Sequence, residues 1–221
     1  DIIPYESCIE GIRETVAPYS MTVVNIREDI EKAKSILNKY DRSPVKLILA
    51  VGSQAAYALA RHPTETPRLF CMVLDPPRLL GSDHLYPGVR LDIPAGVYIE
   101  TVAAAFPKRT TVGVFFDPAV HQQDMQRFQN TARQYGKTII PLPVSSAQDI
   151  TEIVESEKFT ADVLVIIPVN ALTTKIVEYI IERSLRRSTP VVGYNRWFAQ
   201  NGALIAFAVD YRMVGVQTAR L

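Results

Sequence analysis

The chain has 221 residues, of which 48% are hydrophobic and 21% are charged, a balance typical of a globular protein with one large domain or two small ones. Its formal net charge is +1, which gives no support for a nucleic-acid surface or an acidic tail. No apolar stretch is long enough to predict a membrane span, and none has the pattern of a signal peptide.

The first part of the chain alternates between helical and strand patterns. Apolar residues spaced three and four apart predict helices, and continuous apolar runs predict strands that are buried on both faces. We predict a helix over 5–16, a strand over 21–26, a helix over 29–40, a strand over 46–51, a helix over 53–61 and a strand over 68–74. The segment 79–94 has no regular period and is predicted to connect two lobes.

The segment 45–60, VKLILAVGSQAAYALA, organises this part of the chain. A strand, a Gly-Ser turn and a helix follow one another directly, which is typical of the start of a parallel α/β unit. The turn places Ser53 and free backbone N–H groups at a helix N-terminus, where an anionic group binds favourably. We therefore predict that this turn forms one wall of a ligand cleft, and that a second lobe supplies the other wall.

The same alternation restarts after residue 94. We predict a helix over 95–106, a strand over 111–116, a helix over 120–135, a strand over 138–142 and a helix capped by Ser146. These are followed by a strand over 162–167, a helix over 171–186, strands over 190–194 and 203–209, and a short helical start.

This order predicts an α/β fold with two Rossmann-like lobes, parallel sheets and helices on both faces of each sheet. The predicted N-terminal lobe comprises residues 1–90 and 203–221, because we expect the strand over 203–209 to cross back to it. The predicted C-terminal lobe comprises residues 91–202, and the ligand cleft is expected between the lobes.

Candidate ligand residues follow the predicted strands, because ligands of open parallel sheets bind beyond the carboxyl ends of the strands. These ends carry Ser53, Gln54, Asp75, Asp117, Ser145, Ser146, Asn170, Tyr194 and Asn195. Each also has a structural alternative: serine and asparagine cap helices, aspartate before proline forms turns, and tyrosine packs in cores. We favour function over turn formation for Asp75, and capping over function for Ser146.

The sequence favours binding over catalysis. Ser53 lacks the G-x-S-x-G context of a nucleophile elbow, and neither a G-x-G-x-x-G nor a Walker motif follows any predicted strand. We predict no catalytic residues and no cofactor, and no Cys/His spacing indicates a metal site. The two cysteines, Cys8 and Cys71, are predicted to be buried thiols, and the sequence leaves open a disulfide between them.

Seven stretches resemble the periplasmic substrate-binding proteins of ABC importers, in particular a group with members that bind aromatic amino acids such as tryptophan. They are AVGSQAA at 50–56, VLDPP at 73–77, PGVRLDIP at 87–94, AAFPKRTTVGVFFDP at 104–118, DVLVIIPVNA at 162–171, TPVVGYN at 189–195 and NGALIAFAVDYRMVGVQTA at 201–219. The resemblance implies the type I periplasmic-binding-protein fold, whose two lobes close on a ligand and then dock on a membrane permease.

Carried over by position, the resemblance and the strand ends give the ligand-binding set Tyr5, Ser53, Gln54, Asp75, Asn170, Tyr194, Asn195 and Asp210. Asn170 stands where the family usually has aspartate. The family's first strand and its C-terminal end are expected to be missing from this chain. The resemblance further implies a monomer that binds no nucleic acid and is periplasmic or extracellular and lipid-anchored, with its signal sequence outside this chain.

The chemistry of these residues suggests an amino acid as the ligand. The helix N-terminus at Ser53 and Gln54 suits a carboxylate, Asp75 suits an ammonium group, and tyrosines or Trp197 can flank an apolar side chain. Two alternatives stay open: a ligand-sensing domain of a regulator or receptor with the same fold, and an α/β enzyme with an unrecognised site.

Overall fold

The structure is a computed structural model that describes residues 3–17, 19–27, 29–156 and 159–221. The chain forms two compact units, one comprising Asp1–Asp92 with Val209–Leu221 and the other comprising Ile93–Ala208. Both are built from parallel strands with helices between them, which confirms the predicted α/β class.

The first unit contains a parallel sheet with the strand order β1-β2-β3. Its strands are β1 (Ile48–Val51), β2 (Arg68–Val73) and β3 (Gly88–Arg90). Its first helices are α1 (Ile3–Val16), α2 (Ile30–Tyr40), α3 (Ser53–Ala60) and α4 (Pro76–Leu80), and a 3-10 turn follows at Ser82–His84.

The second unit contains a five-stranded parallel sheet with the order β5-β4-β6-β7-β8. In chain order its elements are α5 (Ala95–Ala105), β4 (Thr111–Phe116), α6 (Gln122–Gln134), β5 (Thr138–Pro143), α7 (Ala147–Glu155), β6 (Val163–Val165), α8 (Thr174–Arg186), β7 (Val191–Gly193), α9 (Arg196–Gln200) and β8 (Ile205–Ala206). The chain then returns to the first unit as α10 (Tyr211–Ala219), a nine-residue helix where the sequence predicted only a short helical start.

The continuous apolar runs form buried strands, as predicted. Val112, Val114 and Phe115 of β4 are fully buried, and so are all three residues of β6. Strands that are apolar throughout require cover on both faces, and the helices that alternate with them in sequence provide it.

The prediction of a strand over 21–26 is wrong, because these residues form no strand in the structure. Val23 and Val24 are 48% and 41% exposed. The backbone bonds of the segment are local: the Lys32 ammonium donates to the carbonyl oxygen of Asn25, and the Asp29 N–H donates to that of Ile26. Strand-forming residue types require a neighbouring strand before they form a ladder.

Two further predictions about strands are wrong. The segment 79–94 contains β3, which pairs with β2 across a register shift between Phe70 and Val73, so it is not simply a connection between lobes. The strand predicted over 203–209 does not cross back to the first lobe, because β8 pairs with β7 and residues 203–208 therefore belong to the second unit. Both strands have three residues or fewer, which is too short for a period to show in the sequence.

Two glycines let α1 and α10 pack backbone to backbone within the first unit. A methyl group at Gly215 would overlap the carbonyl oxygen of Cys8, and one at Gly11 would overlap that of Arg212. This close approach fixes the position of the helix that carries Tyr5.

We predict that Gly215→Ala lowers the free energy of unfolding of the first unit by about 2 kcal/mol or more, because the overlapped atom belongs to a rigid backbone. Gly96→Ala is the control: this helical glycine has no atom within 4 Å of the added carbon, and the change should raise stability by up to about 1 kcal/mol. Urea unfolding of the three proteins measures both effects. Equal stability of Gly215→Ala and the wild type would contradict the close packing.

Asp162 joins the start of β6 to the start of β4. Its carboxylate accepts hydrogen bonds of 2.8 Å from the backbone N–H groups of both Thr110 and Thr111. These bonds, that of Thr111 first, lower the pKa of Asp162 below its usual value because they favour the charged form.

Because its pKa is lower in the folded protein, Asp162 should stabilise the fold at pH values above the pKa of aspartate in the unfolded chain, about 3.9. This contribution is lost as the pH falls through the lower pKa that Asp162 has in the folded protein. Asp162→Asn should therefore lower the free energy of unfolding by about 1 kcal/mol at pH 7. This value is low for a charged hydrogen bond because the carboxylate is close to solvent. Denaturant unfolding from pH 7 down to about pH 2 should show the two proteins converging. A difference that stays constant over this range would contradict the assignment.

Candidate functional site

Ser53 and Asp75 follow neighbouring strands of the first unit. Strands β1 and β2 pair in parallel with Val51 opposite Cys71, and the Gly52 N–H donates to the Cys71 carbonyl oxygen at 2.9 Å. Because the strands are parallel, the turns that follow them lie at the same edge of the sheet. The structure therefore brings two of the predicted site turns to one edge.

The turn after β1 presents the open N-terminus of α3. Gly52 occupies the N-cap position with φ +94°, so no side chain caps this helix. Ser53 is the first helical residue rather than a cap, and it is half-buried, whereas Gln54 is exposed. The first N–H groups of the helix lack partners within it and carry the positive end of its dipole, which suits a carboxylate.

Tyr5 lies against this turn. A side-chain carbon at Gly52 would lie 2.8 Å from Cε1 of Tyr5 and 3.2 Å from its hydroxyl oxygen. Both the positive φ and the proximity of this ring require glycine at position 52. Tyr5 remains 41% exposed, so part of its ring is free to contact a ligand.

Asp75 has an unusual backbone and an unpaired side chain. It precedes Pro76 at the start of α4 in the left-handed region, with φ 44° and ψ 64°, a conformation that costs an L-residue about 1 kcal/mol. The side chain makes no capping bond, and within the described ranges its carboxylate has no hydrogen bond or ion pair. This half-buried carboxylate is therefore available to a cationic ligand.

Asp210 has a structural role in the same unit. It is the N-cap of α10, and its carboxylate accepts a hydrogen bond of 3.0 Å from the Met213 N–H. The side chain is exposed. Capping alone accounts for this aspartate, so its predicted contact with the ligand rests on the resemblance.

In the second unit, Asn170 and Asn195 follow the neighbouring strands β6 and β7. Asn170 is exposed in a turn and does not cap the next helix, which begins at Thr174 with Thr173 as its cap. Of the two roles left open for Asn170, capping does not apply, because Thr173 caps the helix. Asn195 is half-buried and caps α9, where its Oδ1 accepts from the Trp197 N–H at 3.0 Å.

Tyr194 packs in an aromatic cluster of the second unit. Its ring centroid lies 4.8 Å from that of Phe198, which in turn has an edge contact with Trp197. Burial raises the pKa of the Tyr194 hydroxyl above its usual value, so the neutral form is favoured. Tyr194 and Trp197 are half-buried and present mixed apolar and polar surface.

The structure explains two other strand-end residues without a ligand. Asp117 forms a turn in which its Oδ1 accepts from the Ala119 N–H at 2.9 Å. Ser146 caps α7 in a capping box with Asp149, which confirms the favoured capping role.

Sequence reasoning overlooked α9 and the strand-end residue Phe207. Phe207 follows β8 and makes an edge contact with Tyr98 at a centroid distance of 4.8 Å. For α9 the signal was present, because Asn195 is a strong N-cap residue. Phe207 lies inside the apolar run 203–209, which conceals the end of β8.

Two grooves lie away from the predicted residues. One of about 530 Å³ lies at the amino ends of β1 and β2, where Arg68 and Tyr86 line it, and one of about 180 Å³ lies beside β5 and α7. Neither is lined by a predicted ligand residue, and the first lies at the end of the sheet opposite to Ser53 and Asp75. Within the described ranges no group of three or more His, Cys, Asp or Glu side chains could hold a metal ion, and no helix is both long and apolar enough to cross a membrane.

Asn195 stabilises the start of α9 through its capping bond. Asn195→Ala should lower the free energy of unfolding of the second unit by about 1 kcal/mol, because α9 loses its cap, whereas Asn195→Ser should retain the cap and nearly all the stability. Urea unfolding measures the difference. Equal stability of the alanine and serine variants would show that the cap contributes nothing.

These units, with parallel sheets and polar turns at the carboxyl ends of their strands, define a type I periplasmic-binding-protein fold. A family model described as "ABC transporter substrate binding protein" matches residues 10–221. The chain therefore belongs to the ABC transporter substrate-binding protein family, whose members are binding proteins that serve an importer. Members bind small molecules, interact with a membrane permease and are periplasmic or extracellular.

Three solved structures illustrate the likeness of fold. A substrate-binding protein with adhesive properties from Clostridium difficile, in a ligand-free open form, has a TM-score of 0.76 and 18% identity over 98% of this chain and 77% of its own. An ABC domain from Streptococcus pneumonia in complex with L-Trp has a TM-score of 0.61 and 19% identity over 99% of this chain and 77% of its own. A solute-binding protein from Rhodopseudomonas palustris in complex with p-hydroxybenzoic acid has a TM-score of 0.62 and 12% identity over 99% of this chain and 74% of its own. A sequence comparison with curated proteins gave no match.

Proposed function

We propose that this solute-binding protein captures a free amino acid with an apolar or aromatic side chain and delivers it to the permease as a monomer. One observation carries the proposal: the half-buried carboxylate of Asp75, which has no partner among the described residues, lies at the same edge of one sheet as the uncapped N-terminus of α3. An anion-binding element beside a free carboxylate matches the two charges of a zwitterion.

The α-carboxylate is assigned to the N-terminus of α3. Its backbone N–H groups and the Ser53 hydroxyl are donors that no capping side chain occupies, and the helix dipole favours a negative charge there. Gln54 is exposed at the same turn and can donate through its amide.

The α-ammonium group is assigned to Asp75, whose carboxylate no cation neutralises among the described side chains. A partly desolvated pair of charges is strong when each partner is fully hydrogen-bonded. Tyr5, which lies against Gly52, is positioned to contact the apolar part of the ligand.

Asn170, Tyr194 and Asn195 are proposed as the ligand-contacting residues of the second unit. The support is their position after neighbouring parallel strands, as for Ser53 and Asp75 in the first unit. The relatives whose structures contain L-Trp and p-hydroxybenzoic acid support an aromatic carboxylate as the ligand class. The family match favours this role over a sensor domain or an enzyme.

We expect calorimetric titration with the common amino acids to find one or a few that bind. Asp75→Asn should weaken that binding at least about 30-fold, equivalent to about 2 kcal/mol, because the ammonium group loses its charged partner. Asp83→Asn is the matched control, since Asp83 is an exposed aspartate of the same unit and should leave the affinity unchanged.

A ligand analogue without the amino group sharpens this test. The wild type should bind the analogue weakly, and Asp75→Asn should not weaken its binding further, because the pair of charges is already absent. Unchanged affinity of Asp75→Asn for the amino acid would remove Asp75 from the site. Absence of heat with every amino acid would overturn the proposed ligand class.

A further inference from the structure

The two cysteines of the chain meet in the interior of the first unit. The Sγ atoms of Cys8 on α1 and Cys71 on β2 lie 3.6 Å apart, which is van der Waals contact, although 63 residues separate them in sequence. Both side chains are completely buried. The sequence left open whether they pair, and this contact shows that the fold itself brings them together.

We propose that Cys8 and Cys71 form a disulfide bond in the mature protein, which joins α1 to the central strand of the first sheet. Three observations support it. The sulfur atoms already lie 3.6 Å apart, and a disulfide would bring them to about 2.05 Å. The 221 residues contain two cysteines, and the fold brings these two into contact. The family acts in the periplasm or outside the cell, where disulfides form and persist.

The alternative uses of a cysteine pair find less support. A structural metal site takes about four ligands, and no described cluster of His, Cys, Asp and Glu side chains provides even three. A catalytic dithiol requires access for its substrate, and neither thiol is exposed. A buried pair of thiols in an oxidising compartment is best suited to a structural crosslink.

The oxidant is a disulfide, carried by a thiol oxidoreductase or a small molecule. The thiolate of one cysteine attacks the oxidant S–S bond, releases the first oxidant thiol and forms a mixed disulfide, and the thiolate of the other cysteine then displaces the second oxidant sulfur. Two S–H bonds are lost, one S–S bond forms, and two electrons and two protons pass to the oxidant as two thiols. Because both residues are buried in the folded unit, the exchange takes place before α1 docks.

The crosslink would hold the elements around the first-unit turn. Cys71 pairs with Val51 and accepts the Gly52 N–H through its carbonyl oxygen, while Cys8 follows Tyr5 by one helical turn. A bond between them therefore fixes the helix that carries Tyr5 to the strand that ends beside the Gly52 turn. The bond closes a long loop, so it constrains the unfolded chain strongly.

The test is a thiol count on the full chain, exported to an oxidising compartment and purified without reductant. The protein is unfolded in guanidinium chloride with excess iodoacetamide, and its intact mass is measured. We expect no alkylation as isolated and two alkylations after prior reduction. Two alkylations as isolated, or a dimer that reductant separates, would overturn the proposal.

Thermal unfolding of the oxidised and reduced forms tests the role of the bond. The reduced wild type should unfold several degrees lower, because the crosslink no longer restricts its unfolded chain. The double variant Cys8→Ala, Cys71→Ala is the control, and reductant should not change its midpoint. Equal midpoints for the two redox forms of the wild type would overturn the proposal that the bond secures α1.

Discussion

Parallel strand pairing is the constraint on which the placement of the candidate site depends. It brings the residues after β1 and β2 to one edge of the first sheet, although Ser53 and Asp75 are far apart in sequence. The same rule places Asn170 and Asn195 after the neighbouring strands β6 and β7. The side chains of the site differ in chemistry, but the backbone ladder alone decides which of them share an edge.

A second constraint, helix packing, fixes the position of Tyr5 beside the Gly52 turn. The close contact of α1 with α10 at Gly11 and Gly215 positions the backbone of α1, and Tyr5 extends from that helix against Gly52. Tyr5 is therefore placed by three glycines, of which only Gly11 is near it in sequence. A ligand residue of this kind depends on packing as much as on its own chemistry, because a shift of α1 would move its ring away from the turn.

The fold could be predicted from the sequence where it depends on a local residue pattern, such as an apolar run. It could not be predicted where it depends on contacts between distant segments. The runs that became β4 and β6 are apolar throughout, so their burial was predictable. The segment 21–26 also contains strand-forming residue types, but a strand requires a partner as well, which no local pattern reveals. At the site, the positions of Ser53 and Asp75 were predictable from strand ends, whereas the roles of Asn170 and Asn195 depended on where the next helix begins.

Asp75 is distinguished from the other aspartates near strand ends by what its carboxylate lacks. Asp117, Asp162 and Asp210 each accept a backbone N–H, so turns, ladders and caps account for them. Asp75 has no such donor among the described residues, and its backbone is held in a left-handed conformation that glycine would adopt without strain. Neither the lack of a described donor to its carboxylate nor its left-handed backbone makes Asp75 stabilise the fold. Strained backbone conformations cluster at functional sites, and the open N-terminus of α3 at the same edge supports the proposal that Asp75 binds the ligand.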